Sequence, residues 1–453
     1  MNFASLTFWG SLAGGFLLLS LFRSFFKKSP NFDQWAFIAL SLFLLGIESL
    51  ETVIIFLSVS GLGYLGLFCR QRWQLVVIAL LMISPLGFYK YSGFLEEIWT
   101  GEKPPTRLLI PMGISFYTFQ VLSFVIDSFR LKLPLPSLRS FLNFASFFPQ
   151  IVAGPIERRS DLLPQVEALR FRLTRKNVED GIPWIVLGFF FKLALAENLA
   201  LVIEGLKPDS TNALKVWAEA AFFAGRIYFD FAGYSFIALG LARCFNIRLT
   251  LNFESPYLAT NLRSFWRRWH VTLTRWFRDY LYVPMGGNQT RFWPGAILIV
   301  FLVSGVWHGA GWGFIIWGGL HGIGVLCCAL MGKRSLPVTI SRTLTLVFLL
   351  TTWIFFMTPD WKTACHSVSL IASPHAYHLS LPAVIGIFGD EKALIHAALM
   401  SALMGLVFLG EWLSLRHRSH YLHFTNRWVQ LALILATVLF APTTESRFIY
   451  FNF

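Results

Sequence analysis

Histidines in two segments stand in surroundings that an ordinary membrane helix does not provide. His308 and His321 lie in SGVWHGAGWGFIIWGGLHG (304–322), among Trp and Gly and just after the short apolar run Gly295–Val303. His270 lies in LRSFWRRWHVTLTRWFRDYLYV (Leu262–Val283). An imidazole has an unperturbed pKa of about 6.5, so it can take or give a proton near neutral pH and serve as general base or relay. At membrane depth such a polar ring is costly unless it is used, or satisfied by a neighbouring carbonyl. Spacing alone leaves both readings open for His308. Ser304, Gly305, Gly309 and Gly311 flank it, and small residues of this kind let a helix or a ligand come close.

His270 sits in the most basic stretch of the chain, where eight Arg between Arg243 and Arg291 face only Glu254 and Asp279. Within it Phe265, Trp269, Leu273, Trp276 and Tyr280 recur at steps of four, four, three and four, which predicts one helical stripe. Arg263, Arg267, Arg268, Arg275 and Arg278 occupy much of the remaining surface. The pattern therefore predicts an amphipathic helix over 262–283 lying in the inside interface, stopped by Pro284, Gly286, Gly287 and Asn288. Guanidinium forks match phosphate oxygens, so this face suits the phosphates of a donor or of lipid head groups, and one use does not exclude the other. Arg226 and Asp230 are four residues apart on a Phe- and Ala-rich helix. Charges at membrane depth are expected to pair or to face a wet interior.

The elements that must position these groups are membrane helices. The 453 residues are 55% hydrophobic and 14% charged, whereas a soluble domain carries roughly 25% charged residues. Mean hydropathy is +0.60. Apolar stretches run from Leu6–Phe22 to Trp428–Ala441, and the clearest between them are near 35–47, 52–69, 73–88, 108–127, 182–203, 217–241, 312–331, 343–357 and 393–413. Counting weaker candidates near 141–153 and 294–307, about ten to twelve spans or half-spans are expected. The segment FLNFASFFPQIVAGPIERR (141–159) has two prolines and a glycine in a short apolar run, which predicts a broken or re-entrant segment.

No Lys or Arg precedes Arg23, so an uncleaved first helix with its N-terminus outside is predicted. The basic loops Arg70/Arg72, Arg130–Arg139 and Arg158–Lys176 then fall inside, as the positive-inside rule asks. The net charge of +14 is spread between spans, which points to anionic lipid head groups rather than nucleic acid. The five Cys form no disulfide framework or zinc spacing. His375/His378 and His417/His420/His423 have spacings that could hold a metal but lack accompanying carboxylates or thiols, so loop histidines are the expectation. No internal repeat or long polar linker appears, and residues 1–453 are taken as one membrane domain.

The residues also carry a resemblance. FWRRWHVTLTRWFRDYLYVPMGGN (265–288) and SGVWHGAGW…WGGLHG (304–322) resemble the signature region of the membrane-bound O-acyltransferase (MBOAT) family. IPMGISFYTFQ (110–120), FFPQIVAGPIERRSDLLPQ (147–165), FDFAGYSFIALGLARCFNI (229–247) and the closing FIYFNF (448–453) resemble further blocks of it, and the signature region covers about 108–322. The arrangement is most similar to the alginate O-acetylation type and, more distantly, to the teichoic-acid D-alanyl transfer type.

The resemblance implies an all-α membrane fold of about eleven transmembrane helices, with re-entrant and interfacial helices, around a central tunnel. It implies that His308 is the catalytic histidine and His270 its partner. Arg267, Arg268, Trp307, Asp279 and Asn288 are the candidates for donor or substrate contacts. Met357 departs from the pattern, standing where many alginate-type relatives have Arg.

The implied reaction is acyl transfer, with acetyl or another short acyl group carried from an inside thioester to a hydroxyl of an extracytoplasmic polysaccharide. The donor would be acetyl-coenzyme A or a phosphopantetheine carrier, as substrate, with no tightly bound cofactor and no metal. Membrane lipids and an extracytoplasmic acetyltransferase are the other implied partners, and a bacterial cytoplasmic membrane is the implied location. No G-x-S-x-G elbow occurs, so direct transfer is expected in place of an acyl-serine. The competing classes are a transporter or flippase, which would use Arg226 and Asp230 as path elements, and a platform feeding a separate transferase. No inverted repeat supports the former.

Overall fold

Apolar runs of this length can satisfy their backbone in lipid only by coiling, and all regular structure among the described residues is helical. The computed structural model describes residues 3, 5–25, 30–102, 108–151, 154–207, 211–332, 336–358, 360–416, 421–442 and 449. The expected segments become the helices Leu6–Phe25, Pro30–Glu48, Leu50–Gly66, Arg72–Thr100, Ile114–Arg130, Ala213–Cys244, Trp312–Leu330, Val338–Met357, Glu391–Arg416 and Arg427–Phe440. Six described helices have the length and apolarity of a full span, with three shorter apolar helices besides. The closing FIYFNF, apart from Ile449, and His417 and His420 lie outside the described residues.

Packing divides the chain into two compact units. The first comprises Met1–Gly188 and Tyr234–Leu251. In it the 141–159 stretch is broken as its prolines predict: a helix Leu138–Ser146, a single turn Phe148–Ile151, and a helix resuming at Arg159–Glu167. Two of the motif blocks meet there, since Gln120 Oε1 accepts from the Glu157 N–H at 3.1 Å. The buried Glu157 carboxylate in turn accepts from the Thr250 N–H at 2.5 Å and its hydroxyl at 3.1 Å. The prolines interrupt the backbone ladder, and side chains complete it.

The second unit comprises Phe189–Gly233 and Asn252–Phe453, and it holds the histidines of both motifs. The helix that begins at Arg175 widens into a π-turn at Phe190–Ala196 before continuing as Glu197–Gly205. Residues five apart share a face in a π-turn, and Lys192 Nζ lies 2.5 Å from Glu197 Oε1. The same ammonium lies 2.8 Å from Asp230 Oδ1. Asp230 therefore has Lys192 as its cation, whereas the sequence offered Arg226, its i−4 neighbour. All three members of the triad are buried, and Asp230 also accepts from the Ile449 N–H at 2.7 Å.

The Trp293–His308 helix starts with Pro294 in its first turn, where a missing N–H costs nothing. It packs against Trp312–Leu330 through glycines. A Cβ on Gly305 would stand 2.3 Å from the Phe314 carbonyl oxygen, and one on Gly318 would stand 2.4 Å from that of Phe301.

The single helix expected over 262–283 is corrected by the structure. It forms three pieces, Leu262–Trp266, Val271–Phe277 and a π-turn Arg278–Tyr282. The break falls at His270, whose φ of 43° is left-handed, a conformation that interrupts a right-handed helix. Partners from residues 252–254 hold the break open. Val271 N–H donates to the Asn252 carbonyl at 3.0 Å, and Glu254 N–H to the Arg268 carbonyl at 2.9 Å. The stripe itself survives, with Phe265, Trp269, Leu273 and Trp276 buried while Arg263, Arg267, Arg275 and Arg278 are exposed.

Candidate active site

The last residue of the Trp293–His308 helix is the motif histidine. Gly309 follows it in extended backbone, and a Cβ there would fall 2.1 Å from the Phe314 ring. The His308 imidazole is 1% exposed. Its ring centroid is 4.9 Å from Trp307, 5.0 Å from Trp317 and 5.3 Å from Phe356, so three aromatic rings wall it from solvent.

His270 is fully buried. Its Nδ1 lies 3.2 Å from Asn252 Oδ1, an oxygen that also accepts from the Thr272 N–H at 3.2 Å and the Thr272 hydroxyl at 3.0 Å. Asn252 Oδ1 is thus an acceptor, which assigns the proton of a neutral His270 to Nδ1 and leaves the lone pair on Nε2. A ring held in this way by a carbonyl is the arrangement that orients a general base. Phe231 stands edge-on at 4.7 Å.

Trp307 joins the two. Its indole is 4.9 Å from His308 and 6.1 Å from His270, centroid to centroid. Trp269, Trp353 and Trp317 form a second aromatic path between the segments, at 5.4 Å and 6.0 Å. The Trp-rich composition of both motifs thus forms the wall of one site, where bulky rings exclude water and strengthen any electrostatic interaction inside.

His321, the third motif histidine, has a different role. Trp266 Nε1 donates to its Nδ1 at 3.2 Å, and its Nε2 is 3.1 Å from the Thr352 hydroxyl. That hydroxyl gives its own proton to the Leu349 carbonyl at 2.9 Å, so the imidazole donates through Nε2. Both nitrogens are satisfied and the ring is a buried structural link.

The remaining sequence candidates lie elsewhere on these elements. Arg267 and Asn288 are exposed, the latter accepting from the Tyr282 hydroxyl at 2.6 Å. Arg268 is half-buried and its guanidinium reaches the Glu254 carbonyl at 3.4 Å. Asp279 is half-buried against Arg278 at 2.7 Å, and its hydrogen bond holds that guanidinium above its ordinary pKa. Met357 ends the Val338–Met357 helix next to Phe356 of the His308 wall. Asn252 and Phe356 carried no signal in the sequence. Asn252 sits in an unremarkable loop, and only tertiary pairing reveals its part.

Comparisons with known proteins bear on the same residues. The family model of the membrane-bound O-acyltransferases matches residues 74–365, a span that includes His270, His308 and His321. The peptidoglycan O-acetyltransferase of Helicobacter pylori is 31% identical over 437 residues, covering 84% of this chain and 83% of that protein. A probable alginate O-acetylase of Pseudomonas aeruginosa is 32% identical, covering 68% of this chain and 62% of that protein. The teichoic acid D-alanyltransferase of Streptococcus thermophilus is 28% identical over 56% of this chain and 64% of its own length. With a family model across more than half its length and a relative matched nearly end to end, the chain belongs to the membrane-bound O-acyltransferase family.

Proposed function

We propose that this protein transfers acetyl, or another short acyl group, from a thioester donor to a hydroxyl of an extracytoplasmic polysaccharide, with His308 as general base. The observation that carries this reading is Trp307, whose indole touches both motif histidines and so brings residues 38 apart in sequence into one buried aromatic site. The activities of the relatives, O-acetylation of peptidoglycan and alginate, supply the substrate class.

The chemistry balances on one imidazole. His308 takes the proton of the acceptor hydroxyl as its oxygen attacks the thioester carbonyl. The C–S bond breaks, and the departing thiolate takes the proton back. Positioned base catalysis of this kind contributes about 10²–10⁴-fold in rate. His270, held through Nδ1 by Asn252, is the partner that orients or shares the proton. The exposed guanidinium face of Arg263, Arg267, Arg275 and Arg278 suits the phosphates of coenzyme A or a phosphopantetheine carrier. The bacterial relatives favour a bacterial cytoplasmic membrane, and the basic loops favour an N-terminus outside, with the donor inside and the glycan, or an acetyltransferase partner that serves it, outside.

The test is His308→Ala. Mass spectrometry of surface glycans should show O-acyl groups absent while the variant accumulates in the membrane at the normal level. Retained acylation would rule out His308 as the base. His270→Ala should lower acylation in the same assay.

A further inference from the structure

A buried acid that the proposed reaction does not use is linked, through two tyrosines and the 252–255 loop, to His270. Glu411, on the Glu391–Arg416 helix, is fully buried. An ionisable side chain in an apolar helix is expensive and calls for a role and a partner. The Tyr228 hydroxyl hydrogen-bonds Glu411 Oε1 and lies 3.0 Å from the Tyr421 hydroxyl. Tyr421 reaches the loop beside His270, where its hydroxyl accepts from the Ser255 N–H at 3.3 Å and lies 3.2 Å from the Phe253 carbonyl oxygen, its own proton going to Tyr228. The same loop carries Asn252, whose side chain and carbonyl hold His270 and Val271. Tyr228, Tyr421, Ser255, Asn252 and His270 are all fully buried.

Backbone strain marks this path independently. Five non-glycine residues among those described have positive φ, and three of them lie on it: Ser255 at 52°, His270 at 43° and Tyr421 at 58°. Such conformations persist only where the surroundings over-determine them, and they gather at working sites. An aromatic and a β-hydroxy residue at these positions gain nothing locally from the left-handed region. The tertiary hydrogen bonds must hold them there.

We propose that Glu411, acting through Tyr228 and Tyr421, is a positioning residue for His270: it clamps the Asn252–Ser255 loop in the arrangement that sets the tautomer and direction of the imidazole. The inference rests on the reading that His270 serves acyl transfer. Glu411 touches no substrate. Its part is to offer the Tyr228 hydroxyl an acceptor that fixes Tyr421, and through Tyr421 the loop.

The test uses the full-length protein in detergent and in cells, with Tyr421→Phe, Glu411→Gln and Glu411→Leu. Hydrogen exchange by mass spectrometry reads the Val271 and Thr272 amides, and glycan O-acyl content per molecule of protein reads function. Tyr421→Phe should speed exchange in peptides covering 252–258 and 268–275 while the Val338–Met357 helix stays protected. It should also lower acylation about tenfold or more, as expected when a reacting group is displaced by a fraction of an ångström to 1 Å. Glu411→Gln keeps a carbonyl acceptor for Tyr228 and should stay close to wild type in both readouts, whereas Glu411→Leu should follow Tyr421→Phe. Native exchange at 268–275 in Tyr421→Phe, or a Gln variant as impaired as the Leu variant, overturns the proposal. His270→Ala in the same assay separates the two readings: full acylation there removes the role of His270, while the exchange data still report whether the clamp exists.

Discussion

Replacing Gly305 with Ala should move His308 without touching it. The Cβ of an alanine would stand 2.3 Å from the Phe314 carbonyl oxygen and 3.1 Å from its carbon, whereas ordinary contact begins at 3.4 Å. Both atoms belong to backbone, so no side chain can rotate away. Relief requires the Trp293–His308 and Trp312–Leu330 helices to part by about 1 Å, an overpacking that costs on the order of 1–3 kcal/mol. His308 is three residues further along the same helix, less than one turn away, and its ring is set by Trp317 across that interface. Misplacing a catalytic group by about 1 Å costs roughly 10²-fold in rate. The assay is glycan O-acyl content by mass spectrometry, normalised to protein in the membrane, beside a thermal melt in detergent. Gly319→Ala is the matched control, because a Cβ there meets only the Leu302 side chain at 3.6 Å and should leave both readouts near wild type. The packing argument is wrong if Gly305→Ala acylates normally, or if Gly319→Ala loses as much.

Two further substitutions probe what holds the second unit together. Lys192→Met leaves Glu197 and Asp230 buried without their shared cation, and should lower stability by about 3–5 kcal/mol, the usual result of breaking a buried pair from one side. Adding Glu197→Gln and Asp230→Asn should restore much of it, and a single variant that melts with the wild type would refute the triad as an energetic unit. Trp266→Phe breaks the 3.2 Å bond to His321 and strands a buried nitrogen, at a cost of about 1–3 kcal/mol. Trp317→Phe removes an indole N–H that is buried with no hydrogen-bond partner among the described residues. Its polar contribution should therefore be neutral or favourable, and thermal melts of the pair should separate in that order.

Much of the site was legible because its signals are local. A stripe of Phe265, Trp269, Leu273 and Trp276 needs only the helical period, and two prolines with a glycine in the short run 141–159 interrupt a helix locally. The same stripe misled about continuity. Its steps of three and four are kept by two short helices joined at His270, and the left-handed turn between them depends on Asn252 and Glu254. Asp230 presented Arg226 as its neighbour at i−4, yet took Lys192, because the π-turn at Phe190–Ala196 puts Lys192 and Glu197 on one face. A period of 3.6 gives no warning of a π-turn.

By itself the sequence determined that this chain lives in a membrane as a set of helices, and its resemblance singled out His308 and His270 as candidates. Apolar length, charge placement and residue type are properties of short segments, and lipid leaves a helix as their only outcome. Only the tertiary structure decided which histidine is a structural link and which ones Trp307 brings together, and that a glutamate 141 residues from His270 reaches, through two tyrosines, the loop that holds it. Those choices are hydrogen bonds and ring contacts between segments far apart in the chain, and no local pattern encodes which donor will meet which acceptor.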